Sequence, residues 1–154
     1  MTIKNQKDLY TFYNNYIKPI YCEIEARENE IPTELLFEIH SAFDHIKRIY
    51  IDNQKEEEAC QKAASHLKRG VLDAYKLKLK YFNTEIKNLN KIDISLIDNG
   101  LFLRNYSKEK LKIIEVAKKA RLDESNENIE QAFEQWFEVS LLIDGFEKDF
   151  IKTD

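Results

Sequence analysis

Glycine and proline are scarce in this chain, with 3 Gly and 2 Pro among 154 residues. Because these residues punctuate turns, so few of them favour long helices and argue against a turn-rich β fold. Cys22 and Cys60 lie far apart without paired spacing, which argues against a disulfide scaffold or a zinc site and is typical of a reducing cytosol. The sequence also lacks an apolar signal segment at its start and any apolar run of membrane-spanning length. We therefore expect a cytoplasmic protein with no membrane segment.

Hydrophobic residues make up 43% of the chain, enough for a core, and they recur at helical spacing. This pattern predicts a single all-α domain over residues 1–154, a bundle of about five helices. Its centre is a long antiparallel helix pair, about 32–52 and 55–90; Pro32 suits the first turn of one helix, and Glu56 begins an acidic first turn in the other. The expected buried stripe of the first helix is Leu35, Leu36, Ile39, Ala42, Phe43, Ile46 and Tyr50.

The remaining segments are less regular. Pro19 interrupts an N-terminal apolar stripe, which predicts a kinked helix or two short ones. Between Asn88 and Tyr106 we expect a short buried helix or a packed loop, and Ser107 is the expected start of the next helix. That region contains Ile92, Ile94, Leu96, Ile97, Leu101, Phe102 and Leu103. The last helix has the strongest amphipathic pattern, with Trp136 on its apolar stripe, so we expect Trp136 in the core.

Charge is unevenly distributed along the chain, although the formal net charge is −4. Residues 59–121 carry 15 basic and 6 acidic side chains, whereas residues 122–154 carry 2 basic and 10 acidic ones. Acidic end helices that pack on a basic middle would neutralise it; alternatively, the basic middle forms a patch for phosphate or nucleic acid. The overall acidity disfavours nucleic acid as the partner.

The sequence contains no complete catalytic or metal-binding signature. Neither of the histidine spacings typical of di-iron bundles and metalloproteases occurs among His40, His45 and His66, and no glycine-rich phosphate loop is present. We therefore expect no metal and no cofactor, and an enzyme is the less favoured interpretation. One polar group lies on the Pro32 helix, where Glu38, Asp44, His45 and Arg48 are expected on a solvated face opposite the apolar stripe.

A second polar group surrounds Gly70, which lies inside a long predicted helix. A glycine there costs about 1 kcal/mol relative to alanine, which indicates a close contact to a helix or a partner. His66, Arg69, Asp73 and Tyr75 are nearby in sequence. Arg69 and Asp73 are four residues apart and could form a structural ion pair. In the functional interpretation, Arg69 binds an anion and His66 is a titratable donor, which makes these residues, with His45 and Arg48, the candidate binding site.

Two stretches, Pro32–Leu36 with Phe43–Arg48 and His66–Gly70 with Leu72–Tyr75, resemble small helical proteins encoded in bacterial conflict and anti-phage islands. Some of those proteins belong to the HEPN group of helical bundles, which often act as ribonucleases through an Arg followed four to six residues later by His. No arginine of this chain has a histidine at that distance. The resemblance therefore implies a related bundle without the catalytic pair.

Three functions follow as alternatives. The first is a non-enzymatic interaction or assembly module with a protein partner or a second copy, as an accessory subunit of an anti-phage defence system; it predicts an exposed apolar patch or an oligomer. The second is a diverged HEPN-like ribonuclease, which predicts a basic cleft containing His66 and Arg69. The third is a sensor of a small anionic ligand, which predicts a closed pocket beside Gly70. The missing catalytic motif places the first ahead.

Overall fold

Helices joined by short turns make up residues 2–89, 95 and 97–151, the residues that this computed structural model describes. The α-helices are α1 (Gln6–Phe12), α2 (Lys18–Glu28), α3 (Thr33–Ile51), α4 (Glu56–Leu89), α5 (Leu101–Ser125) and α6 (Ile129–Phe146). A π-helical turn, Tyr13–Ile17, joins α1 to α2; a 3-10 turn, Ile97–Gly100, precedes α5; and a second π-helical turn, Glu147–Ile151, follows α6. These residues contain no strand, and the predicted all-α bundle is confirmed.

Pro19 accounts for the division of the N-terminal helical segment. Its ring nitrogen cannot donate to the helix ladder, and the wider π turn directly before it absorbs the missing hydrogen bond. Residues 6–28 are thus helical throughout, and the π-helical turn divides them into α1 and α2. Asn29 ends α2 in the left-handed conformation, with φ of 52°.

Helices α3 and α4 form the predicted antiparallel pair, and their bounds lie within one residue of the expected ones. Leu35 and Glu38, near the start of α3, meet Gly70 of α4, and His45, further along α3, meets the earlier His66. The N-terminal segment is tied to the turn between these helices. The Gln6 side chain donates to the Tyr50 hydroxyl at 2.8 Å, and the Gln6 backbone N–H donates to Glu56 at 3.0 Å.

The chain divides into two compact units, residues 1–74 and 75–154, and α4 contributes residues to both. In the second unit α5 and α6 run antiparallel, since Tyr106 packs on Phe146 at one end and Glu124 accepts from Trp136 at the other. Trp136 is fully buried, which confirms its predicted place in the core. Leu79, Phe82, Ile86, Ile113, Ala117, Val139 and Ile143 are also buried in this unit.

Two expectations for the region before α5 are wrong. Helix α5 begins at Leu101 instead of Ser107, because Gly100 takes the left-handed conformation at its N-cap and a 3-10 turn leads directly into the helix. The expectation of packing is wrong for Ile97, Leu101 and Leu103, which are exposed. Phe102 is partly buried and its ring contacts Tyr106 and Phe150. Ile92, Ile94 and Leu96 lie outside the described residues.

Candidate functional site

Gly70 marks the point where the first-unit part of α4 meets α3. A Cβ atom at Gly70 would lie 2.8 Å from Cδ1 of Leu35 and 2.9 Å from Cβ of Glu38. The predicted close contact is therefore confirmed, and its partner is another helix of the same chain. Side chains of α3 fill the space directly beside Gly70, where the sensor hypothesis expects a closed pocket.

One turn before Gly70, His66 joins two side chains of α3 in a chain of hydrogen bonds. Its Nδ1 lies 2.7 Å from Oε2 of Glu38, and its Nε2 lies 3.2 Å from Nε2 of His45. The two imidazole rings stack at 5.1 Å between centroids. This places Glu38 and His45 on the α4 side of α3, where they are partly buried, so the expectation that they lie on a solvated face is wrong.

The contacts fit an arrangement in which both imidazoles are neutral. The carboxylate of Glu38 then accepts the Nδ1–H of His66, and Nε2 of His66 accepts the Nε2–H of His45. The Nδ1 atom of His45 is then an acceptor, and it is buried without a hydrogen-bond partner among the described residues. The pKa of His45 lies below its ordinary value, mainly because of burial and then because of the charges of Arg48 and His66. His45 is therefore neutral near pH 7.

The other predicted site residues divide between the two units. Arg48 donates to Asp44 at 3.0 Å, and this hydrogen bond holds the pKa of Asp44 below its usual range. Arg69 is exposed and Asp73 is partly buried. Tyr75 is buried in the second unit, where its ring contacts Phe133 and Phe137, and its binding role stays a prediction.

The opposite side of α3 is apolar and exposed. Leu36, Phe43 and Tyr50 lie seven residues apart with exposed fractions of 40%, 72% and 67%. Of the stripe expected in the core, only Leu35 and Ala42 are buried. That expectation is therefore wrong for Leu36, Phe43 and Tyr50, because a different face of α3 meets the rest of the first unit.

A groove lies along one edge of this exposed side. It encloses about 290 Å³ and is almost entirely apolar. Its lining comprises Leu9, Tyr10, Tyr13, Ile39, Ala42, Phe43, Ile46 and Leu67. The groove was not predicted from the sequence, although the heptad spacing of the apolar α3 residues could have indicated a helix-binding surface.

The described part of the chain contains neither a cluster of metal-ligating side chains nor a membrane-spanning helix. No group of three or more metal-ligating side chains occurs there, and none of its helices is long and apolar enough to cross a membrane. Comparisons with protein-family models, with curated proteins and with solved structures found no match.

Proposed function

We propose that this chain is a non-enzymatic assembly module that pairs with a second copy of itself through the exposed apolar side of α3. The observation that carries the proposal is the exposure of Phe43, at 72%, between Leu36 and Tyr50 on one stripe. Contiguous exposed apolar surface on a helix typically marks an interaction site.

The spacing of this stripe suits a partner helix. Leu36, Ile39, Phe43, Ile46 and Tyr50 follow the alternating three- and four-residue steps of a coiled-coil seam. Ile39 and Ile46 are partly buried, and the other three are exposed. A helix laid along the seam would cover all five.

A second copy in antiparallel orientation matches this seam best. The seam is nearly symmetric about Phe43, so an antiparallel copy would place Phe43 against Phe43 and Leu36 against Tyr50, as a two-fold interface requires. Charge supports the same orientation. The first half of α3 carries Glu34 and Glu38 without a cation, for a net charge of −2, and the second half carries Asp44, Lys47 and Arg48, for a net charge of +1. Antiparallel pairing brings the unlike halves and the unlike ends of the helix dipoles together.

The biological setting that we propose is an accessory subunit of a bacterial anti-phage system, a HEPN-like bundle without catalysis, located in the cytoplasm. Its support is the sequence resemblance and the two free cysteines, which suit a reducing compartment. No arginine of this chain is followed by a histidine four to six residues later, and the net charge is −4, so we expect RNA to remain intact in its presence.

Light scattering during size-exclusion chromatography tests the dimer. We expect the wild type to be a dimer and Phe43→Glu to be a monomer with unchanged helical circular dichroism. Leu141→Glu is the matched control, because Leu141 is an exposed leucine on α6, and it should remain a dimer. A monomeric wild type, or a dimeric Phe43→Glu, would refute the proposal.

Cross-linking tests the orientation, in a background with Cys22→Ser and Cys60→Ser. Phe43→Cys should form a disulfide with its own copy on oxidation. Leu36→Cys alone should not, but a mixture of Leu36→Cys and Tyr50→Cys should form the mixed disulfide. Efficient self-cross-linking of Leu36→Cys would instead indicate parallel helices and contradict the antiparallel arrangement.

A further inference from the structure

The second unit contains a groove between the later part of α4 and helix α5. It encloses about 600 Å³ and continues into a neighbouring hollow of about 430 Å³, with Leu79, Asn83 and Arg121 lining both. The cationic side chains along the combined groove are Lys76, Lys80, Lys87, Lys118 and Arg121. The α4 cations recur at intervals of four and seven residues, which places them on one face of that helix.

Most of this positive charge is uncompensated. Glu124 pairs with Lys76, and Asp144 pairs with Lys78 outside the groove, so acidic residues of the C-terminal segment do neutralise part of the basic middle. Within the described residues, however, no carboxylate forms an ion pair with Lys80, Lys87 or Lys118. Like charges gathered along one groove repel each other, and an anion bound between them would relieve that repulsion.

Arg121 is held in a defined position at this site. Its guanidinium lies 5.2 Å from the ring centroid of Trp136, which is fully buried. This cation–π contact orients the guanidinium, and a fixed guanidinium matches the oxygens of a phosphate group better than a freely moving one. The arrangement thus combines one oriented donor with several mobile lysines.

The groove is not purely ionic. Leu79 and Ala117 are buried and form part of its floor, and Ile114 and Leu122 on its rim are exposed by 49% and 56%. A ligand that fits must therefore combine anionic groups with an apolar or aromatic part. The volume is that of a small-molecule site.

We infer that this groove binds a phosphorylated small molecule of the nucleoside di- or triphosphate class, with its phosphates on the lysines and Arg121 and its base against Ile114 and Leu122. Nucleic acid fits less well. From Lys76 to Lys87 the basic wall extends only about 16 Å at 1.5 Å per residue, and the acidic segment 122–154 would repel a longer polyanion. This inference is independent of the proposed α3 interface.

Titration calorimetry with ATP, performed on the full chain at low ionic strength, tests the inference. Lys118→Glu should weaken ATP binding at least about tenfold, because it reverses a charge in the groove. Lys119→Glu is the matched control, because this substitution changes the net charge by the same amount. Lys119 is the next residue on α5 and lies outside the groove lining. Its substitution should change the affinity by no more than about twofold, the scale of a screened, distant charge.

The apolar contribution is tested with Leu122→Ser and with inorganic tripolyphosphate as a second probe. Leu122→Ser should weaken the binding of ATP and leave the binding of tripolyphosphate unchanged. Both groove variants, Lys118→Glu and Leu122→Ser, should keep the wild-type melting temperature. Absence of ATP binding, equal losses in Lys118→Glu and Lys119→Glu, or tripolyphosphate binding as tightly as ATP would each overturn the inference. A short single-stranded RNA that binds more tightly than ATP would overturn it in favour of a nucleic-acid surface.

Discussion

An alanine at Gly70 should destabilise the protein, although alanine is the better helix former. The added Cβ would lie 2.8 Å from Leu35 and 2.9 Å from Glu38, well inside the usual contact distance of about 3.5–4.0 Å. Leu35 is only 1% exposed, and Cβ of Glu38 moves only with the α3 backbone. The methyl group must therefore push α3 away from α4.

The magnitude follows from two opposing terms. The helix preference of alanine contributes about 1 kcal/mol of stability, and overpacking typically costs about 1–3 kcal/mol. We expect a net loss of about 1 kcal/mol, which lowers the melting temperature of a chain of this size by about 2–4 °C. Urea and thermal unfolding, followed by circular dichroism, measure both quantities.

Gly145→Ala is the matched control for this experiment. Gly145 is also helical and lies in α6, but no atom is within 4 Å of the position that its Cβ would take. The same substitution should there stabilise the protein by up to about 1 kcal/mol. If Gly70→Ala and Gly145→Ala are stabilised equally, α3 and α4 do not approach each other at Gly70, and the close contact at the candidate site is refuted.

Three further predictions concern the core, a buried charge and the pH dependence of stability. Trp136→Ala should cost about 3–5 kcal/mol or prevent folding, and a solvent-like fluorescence maximum in the native wild type would contradict its burial. Lys78 is 1% exposed and donates to Asp144 at 2.7 Å. Asp144→Ala leaves the buried ammonium short of an acceptor, so it should destabilise the protein more than Lys78→Met does. The opposite order of stabilities in urea unfolding would refute this. The pKa of His45 in the folded state is below its unfolded value of about 6.5, so the unfolded state binds a proton at a higher pH than the folded state does. The His45 contribution to stability is therefore fully present above pH 6.5 and is lost as the pH decreases below 6.5. His45→Gln should lose part of this fall, and identical pH dependence in wild type and variant between pH 7.5 and 5.5 would show that His45 does not contribute.

Local signals were sufficient for much of the fold. The bounds of α3 and α4 follow from Pro32, the acidic first turn at Glu56 and the spacing of the apolar residues, all of which act within a few turns of helix. The start of α5 could not be found in this way. Ser107 looks like a cap in isolation, but the helix passes through it because Gly100 adopts a left-handed conformation that supplies an earlier start.

The candidate site was only half predictable. The cost of Gly70 within a helix correctly indicated a close contact, because that cost is local. Which residues fill the contact depends on the rotation of α3 about its axis. Two apolar stripes run along α3, through Leu35 and Ala42 and through Leu36, Phe43 and Tyr50, and periodicity alone does not decide which one is buried. The assignment of Glu38 and His45 to the solvated face failed for the same reason.

The rotation of α3 joins the polar site to the proposed assembly surface. Hydrophobic burial alone would favour turning Phe43, an exposed phenylalanine, towards the protein interior. Glu38, His66 and His45 oppose that turn, because it would break their hydrogen bonds and leave ionised or polar groups without partners in a partly buried position. We infer that this chain of hydrogen bonds mainly specifies the orientation of α3, as buried polar contacts do in other helix pairs, and thereby keeps the apolar seam outside, where a second copy can reach it.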